Sequence, residues 1–276
     1  MRAGRLKTKR YKTGGGRIGR LFLLILGIML GAGAAIFWQG GNIPLPAGGV
    51  SLPPTPTLTP QQSGREEKTV TLPGHTWYAL QVGAFGSAPD ARAAAESFRG
   101  RGAAGYVLEM DGYRVLAAAY ETRADAQAVQ TQLREQHGVD TLIVEITQPE
   151  LSLRLTGQQA QLTALSDAWD AIEKLAGHLN GLSQQMDRRA VNADSALSAL
   201  ASEKETLNAL NARLLSLFGE TGHPAVRHVR ALLSDLAAAL PTGEAQSSVR
   251  LGAGIKYAQL LCVCRMAAYA AAIAEE

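Results

Sequence analysis

Cysteine is nearly absent from this chain: Cys262 and Cys264 are the only two in 276 residues. Two positions apart on a helix they point to different sides and cannot readily bridge to each other, so a disulfide framework is excluded. The pair is read as buried thiols, since a zinc site would need further ligands. Histidine is sparse too. None of His75, His137, His178, His223 and His228 stands in an HExxH pattern, and no GxSxG, Walker or paired-cysteine zinc motif occurs. The chain is therefore expected not to be an enzyme, with no catalytic residue, no metal ligand set and no cofactor.

Acidic residues are missing from the first 20 positions, which hold eight cations. The rest of the chain carries 19 basic side chains against 24 acidic, or −5, so the formal +3 of the whole gives no electrostatic case for nucleic acid. Formal charge is also missing from Leu21 to Trp38. At about 1.5 Å per residue this stretch spans roughly 27 Å, the thickness of a bilayer's hydrocarbon core. The flanking cations place residues 1–20 in the cytoplasm and everything after the span outside it. The competing reading is a cleaved signal peptide, for which Ala32-Gly33-Ala34 fits the processing pattern. Both readings export the remainder. The expectation is a single-pass protein of the cell membrane, residues 21–38 being its transmembrane helix.

Residues 39–76 hold seven of the eleven prolines, together with Gly48-Gly49. Such a stretch has too little apolar surface to fold and is expected to be a Pro-rich, extended extracytoplasmic linker.

What the chain does have is a repeat. Phe85, Ser87, Asp90, Ala91 and Phe98 return 35 residues later as Tyr120, Thr122, Asp125, Ala126 and Leu133. Each copy reads as strand, turn, helix, strand. Two copies within residues 77–147 make the split βαββαβ arrangement of a ferredoxin-like domain. The first strand, Tyr78–Phe85, alternates so that Leu80 and Val82 face one side and Gln81, Gly83 and Phe85 the other. Helices are expected to open at Ser87 and Thr122, with a hairpin turn at Asp111-Gly112. If both helices cover one sheet face, the other is a candidate binding surface holding Gln81, Gly83, Phe85, Arg114, Leu116, Ala118 and Tyr120.

The segments YALQVGAF (78–85) and YRVLAAAY (113–120), each followed by an alanine-rich helix, resemble the SPOR domain, the sporulation-related repeat. The resemblance implies binding to bacterial peptidoglycan, specifically to glycan strands stripped of their stem peptides at sites of division or sporulation. It assigns glycan contact to Gln81, Gly83 and Phe85 on the first strand and to Arg114 and Tyr120 on the third. Ala84 stands where the family often has serine, and Ala118-Ala119 where it has Gly-Pro, so one sugar-contacting hydroxyl is missing. Glycan binding of this kind rests on amide hydrogen bonds and aromatic rings against sugar C–H faces. Arg114 could pair with the lactyl carboxylate that an amidase exposes. The other reading of Phe85 and Tyr120 is as core aromatics, and of Arg114 as a solvated charge. An RNA-binding platform is disfavoured, because the third strand lacks an aromatic-rich, basic signature.

Residues 151–276 are expected to be all-α. Leu162, Leu165, Trp169, Ile172, Leu175, Leu179, Leu182 and Met186 form one helical stripe, and Leu197, Leu200, Leu207, Leu210, Leu214 and Leu217 another. Two more helices follow, giving a four-helix bundle, with a coiled coil to another chain as the alternative. The last helix is apolar enough to suggest a second membrane span, but Arg265 would then sit mid-span, which favours a buried bundle helix. The fold class expected is thus α+β, with the helical bundle after the SPOR-like domain. The alternative function is a membrane-anchored scaffold whose bundle recruits protein partners of the envelope.

Overall fold

A computed structural model describes residues 64–220, 223–243 and 247–274. The chain divides into Met1–Thr57 and Leu58–Glu276, and every described residue belongs to the second unit. The proposed membrane span at residues 21–38 and most of the linker lie outside the described residues.

Twelve elements follow in order: β1 (Arg65–Leu72), β2 (His75–Phe85), α1 (Ala88–Arg99), β3 (Tyr106–Glu109), β4 (Tyr113–Tyr120), α2 (Arg123–His137), β5 (Leu142–Gln148), β6 (Leu151–Gln158), α3 (Gln159–Asp187), α4 (Ala193–Phe218), α5 (Pro224–Ala239) and α6 (Ser248–Ala274). β2 to β5 form an antiparallel sheet in the order β3-β4-β2-β5, which is the ferredoxin-like arrangement expected from the repeat.

The repeat is realised down to its caps. Ser87 Oγ accepts from the Asp90 backbone N–H (3.3 Å) and donates to its carboxylate, and 35 residues on Thr122 Oγ1 does the same with Asp125 (3.1 Å). Each cap satisfies one N–H that has no partner within its helix, and each places an acid at the positive end of the dipole. α2 ends at Gly138 in a left-handed conformation. Asp111 and Gly112 both have positive φ, as a tight hairpin between β3 and β4 requires.

Two stretches differ from expectation. Residues 65–72, assigned to the linker on composition, form β1, and residues 151–158, assigned to the helical half, form β6. The two pair antiparallel over eight residues, from Arg65 with Gln158 to Leu72 with Leu151. Both sequences alternate: Lys68, Val70 and Leu72 on one strand and Leu151, Leu153 and Leu155 on the other turn inward, and the ribbon packs on α3. The partner of β1 lies some 80 residues away, so nothing local marks it as a strand.

The helical half is a bundle, with α3 packed on α4 and α6, and α5 on α4 and α6. It is not a separate body. Trp77, Ala79, Leu116, Ala119 and Ile146 of the sheet share one continuous core with buried residues of α3 to α6. α6 is the joint. Tyr257 packs at a tilt against Tyr106 of β3 (5.5 Å between ring centres), Gln259 donates to the Ala119 carbonyl of β4 (3.0 Å), and Lys256 Nζ donates to both Asp187 of α3 (2.8 Å) and the Gly102 carbonyl (3.1 Å). Among the described residues no helix is long and apolar enough to cross a membrane, and α6 is instead buried between sheet and bundle.

Candidate functional site

The sheet has two faces, and cross-strand pairing tells which residue lies on which. Residues directly opposite each other point the same way. Phe85 pairs with Tyr113 and Gly83 with Val115, and Phe85, Tyr113 and Val115 pack with Ala91 and Ala95 of α1. Tyr78 pairs with Tyr120 and Leu80 with Ala118, all packing with Ala126 of α2. On the opposite face lie Trp77, Ala79 and Gln81 of β2, Arg114, Leu116 and Ala119 of β4, and Tyr106 and Leu108 of β3.

The five residues expected on one surface are therefore split. Gln81 and Arg114 share the face turned away from α1 and α2, whereas Gly83, Phe85 and Tyr120 turn toward those helices, as does Ala118. The cause is a pair of bulges. The β2–β4 register slips between Leu80 and Gln81 and again between Gln81 and Gly83, leaving Ala117 and Val82 unpaired. Each extra residue reverses the phase of everything beyond it on its strand. Strict alternation from Tyr78 thus places Gly83 and Phe85 on the wrong side.

Phe85 and Tyr120 are core aromatics. Gly83 serves Phe85: a Cβ on residue 83 would come within 2.7 Å of the Phe85 ring. Gly83→Ala is expected to displace that ring and cost about 1–2 kcal/mol, read by chemical denaturation.

The face turned away from α1 and α2 is not open along its length, because α6 lies across it. Leu116 is 0 % exposed beneath this helix. The far end, where β5 begins and β2 and β4 approach the β3–β4 hairpin, stays uncovered. Ala84 is exposed there, Arg114 and Leu108 are half-buried, and Leu142, which pairs with Gln81, is 64 % exposed.

Gln81 is 8 % exposed, and its amide makes no hydrogen bond among the described residues. It lines a shallow depression of about 200 Å³ together with Thr141 and Leu142. The Thr141 hydroxyl is buried there without a partner. Arg114 likewise forms no ion pair among the described residues. A buried hydroxyl left unbonded is unusual, because it carries the cost of lost hydration. The open end thus gathers an amide, a guanidinium and an apolar contact. Leu142 and Thr141 carry no signal in the sequence that would single them out.

Cys262 and Cys264 are free and buried, and burial pushes both thiols up to about 12, so they are protonated at neutral pH. Among the described residues no three His, Cys, Asp or Glu side chains are grouped as metal ligands.

The family model of the SPOR domain matches residues 61–109 and 74–145. The stretch from β2 to β5 is accordingly a SPOR domain. A SPOR domain is a peptidoglycan-binding module, which supports a general glycan-binding role for this part of the chain. No curated protein and no solved structure shows significant similarity to the chain.

Proposed function

We propose that this protein is a non-catalytic binder of peptidoglycan that holds stripped glycan strands at the uncovered end of its SPOR sheet. The observation that carries the reading is the unpartnered Gln81 amide beside exposed Leu142, with the unpaired Arg114 guanidinium on the same face. A glycan offers hydroxyls and amides for the Gln81 side chain and a C–H face for Leu142. Removing a stem peptide bares a carboxylate, and Arg114 meets it with a charge-assisted hydrogen bond. Strands with peptides intact present no carboxylate at that position. Phe85 and Tyr120 make no sugar contact in this scheme.

The basic residues 1–20 and the apolar residues 21–38 support an anchor in the cell membrane, with the SPOR domain and bundle outside the cytoplasm. The cell-wall sites served are those of division or sporulation, where stripped strands are made.

The test is co-sedimentation of the full chain with purified sacculi, before and after amidase digestion. Pelleting is expected to rise after digestion, and Arg114→Glu to weaken it about tenfold or more, from the loss of one charge-assisted bond and the addition of a repulsive charge. Gln81→Lys should weaken both states. Equal pelleting of wild type and both variants would overturn the proposal.

A further inference from the structure

A second concavity lies on the other side of β4. Its walls are α2 on one side and, on the other, the C-terminal end of α3 with Lys256 of α6; its volume is about 590 Å³. Ala117 and Ala118 of β4 form a small apolar floor, with Val129 of α2 beside it. Set into this floor is Tyr120, 7 % exposed, whose hydroxyl makes no hydrogen bond among the described residues. Burial holds its phenol well above the usual range, and the nearby carboxylates of Asp187 and Asp125 add to this. The hydroxyl is therefore present as a neutral O–H that can both donate and accept.

The charges around the cleft are unevenly used. Lys256 is consumed by Asp187 and the Gly102 carbonyl. Asp125 accepts from Thr122 through Oδ2, which leaves its other oxygen for a ligand hydroxyl. Arg101 and Arg188 also line the cleft, and neither has a carboxylate partner among the described residues. Arg101 rests on the Phe98 ring (4.5 Å), and Arg188 donates to the Gln184 amide oxygen (3.4 Å).

We propose that this cleft binds a sugar acid, a hydroxyl-bearing ring carrying one carboxylate. The small apolar floor suits the C–H face of a sugar ring better than a bare inorganic anion. The Tyr120 hydroxyl and Asp125 supply hydrogen bonds to ring hydroxyls, and the two guanidiniums without a carboxylate partner select for the carboxylate. The volume suffices for one or two rings. The proposal leans on the peptidoglycan reading only for its probe. The cleft and the Gln81–Arg114 end lie on opposite faces of the sheet, so either can fail alone.

The experiment is calorimetric titration of the detergent-solubilised full chain carrying Arg114→Glu with N-acetylmuramic acid, N-acetylglucosamine and inorganic phosphate in turn. N-acetylmuramic acid is expected to bind, and N-acetylglucosamine, lacking the carboxylate, to bind at least about tenfold more weakly. Tyr120→Phe keeps the ring in the core and removes only the hydroxyl, and should lower affinity about fivefold to tenfold. Arg188→Gln should do at least as much. Arg114→Glu removes the carboxylate contact on the opposite face of the sheet, so the binding that remains in this background reports the cleft. The proposal is overturned by an absence of N-acetylmuramic acid binding, by phosphate binding as tightly, or by both cleft variants binding like their Arg114→Glu parent.

Discussion

A chain ended at Ser247, lacking α6, is expected to lose its cooperative thermal transition and to self-associate. α6 buries Leu251, Ile255, Leu260, Val263 and Met266 almost completely. At about 1.5–3 kcal/mol for each large aliphatic side chain, these five alone contribute roughly 7–15 kcal/mol, comparable to the whole stability of a typical domain. Removal does more than subtract. It bares Leu116, Ala119 and Tyr106 on the sheet and Ile172 on α3, and strips the Ala119 carbonyl of its Gln259 donor. An apolar sheet face opened in this way is a surface for association. Calorimetry and size-exclusion chromatography read the outcome. A monomeric truncated protein with an intact transition would mean that α6 is an appendage, and that the whole face from Leu116 to Gln81 can be opened to a ligand. For the same reason the SPOR stretch cut out alone is a poor reagent for binding work. The full chain is the object to test.

Gly105→Ala is expected to be the most damaging conservative substitution in the SPOR domain. Gly105 has φ +58 immediately before β3, and a Cβ there would lie 2.4 Å from the Ala95 carbonyl oxygen and 2.8 Å from Arg99 Cγ. The left-handed backbone alone costs a non-glycine residue about 1 kcal/mol or somewhat more. The contact with a backbone oxygen cannot be relieved by turning a side chain, so α1 must shift, at a further ~1–3 kcal/mol. Arg99, which donates to the carbonyls of Ala104 (3.0 Å) and Gly105 (3.4 Å), would be pushed from both. The total of about 3 kcal/mol corresponds to a fall of roughly 6–12 °C in the thermal midpoint, because the SPOR domain melts as part of the larger unit Leu58–Glu276. Gly138→Ala is the control. Its φ of +62 is similar, but nothing lies within 4 Å of the added Cβ, so it should lose only about 1 kcal/mol. Equal losses at the two sites would show that crowding at Gly105 has no effect.

Much of the SPOR half was legible because its signals are local. The Ser87 and Thr122 caps and the Asp111-Gly112 turn each act within a few residues, and the 35-residue repeat says that the caps recur. The stripes of α3 and α4 were legible for the same reason: Leu162, Trp169, Ile172, Leu175 and Leu179 are all buried, as are Leu200, Leu207 and Leu214. β1 was not legible, because a strand of Arg, Glu, Lys and Thr with two apolar residues becomes a strand only beside β6. The composition around it argued for linker, and residues 151–158 ran without a break into α3.

The candidate surface failed at a finer scale. Gln81 and Arg114 are where alternation puts them, but Gly83, Phe85 and Tyr120 are not, because Val82 and Ala117 each drop out of the ladder. A bulge has no signature in a run such as Val-Leu-Ala-Ala-Ala; it arises from how two strands fit over two helices. Leu142 and Thr141 were overlooked because an exposed leucine and an unbonded hydroxyl are properties of an environment.

The sequence by itself determined the repeat, the caps, the turn, the helical stripes and the resemblance to the SPOR family, since each follows from periodicity or from side chains acting on their own neighbours. Only the tertiary structure decided that β1 closes a ribbon with β6, which side of the sheet each residue faces, and that α6 covers half of the expected binding face. Those outcomes depend on which distant surfaces bury each other best, and burial is a property of the assembled chain.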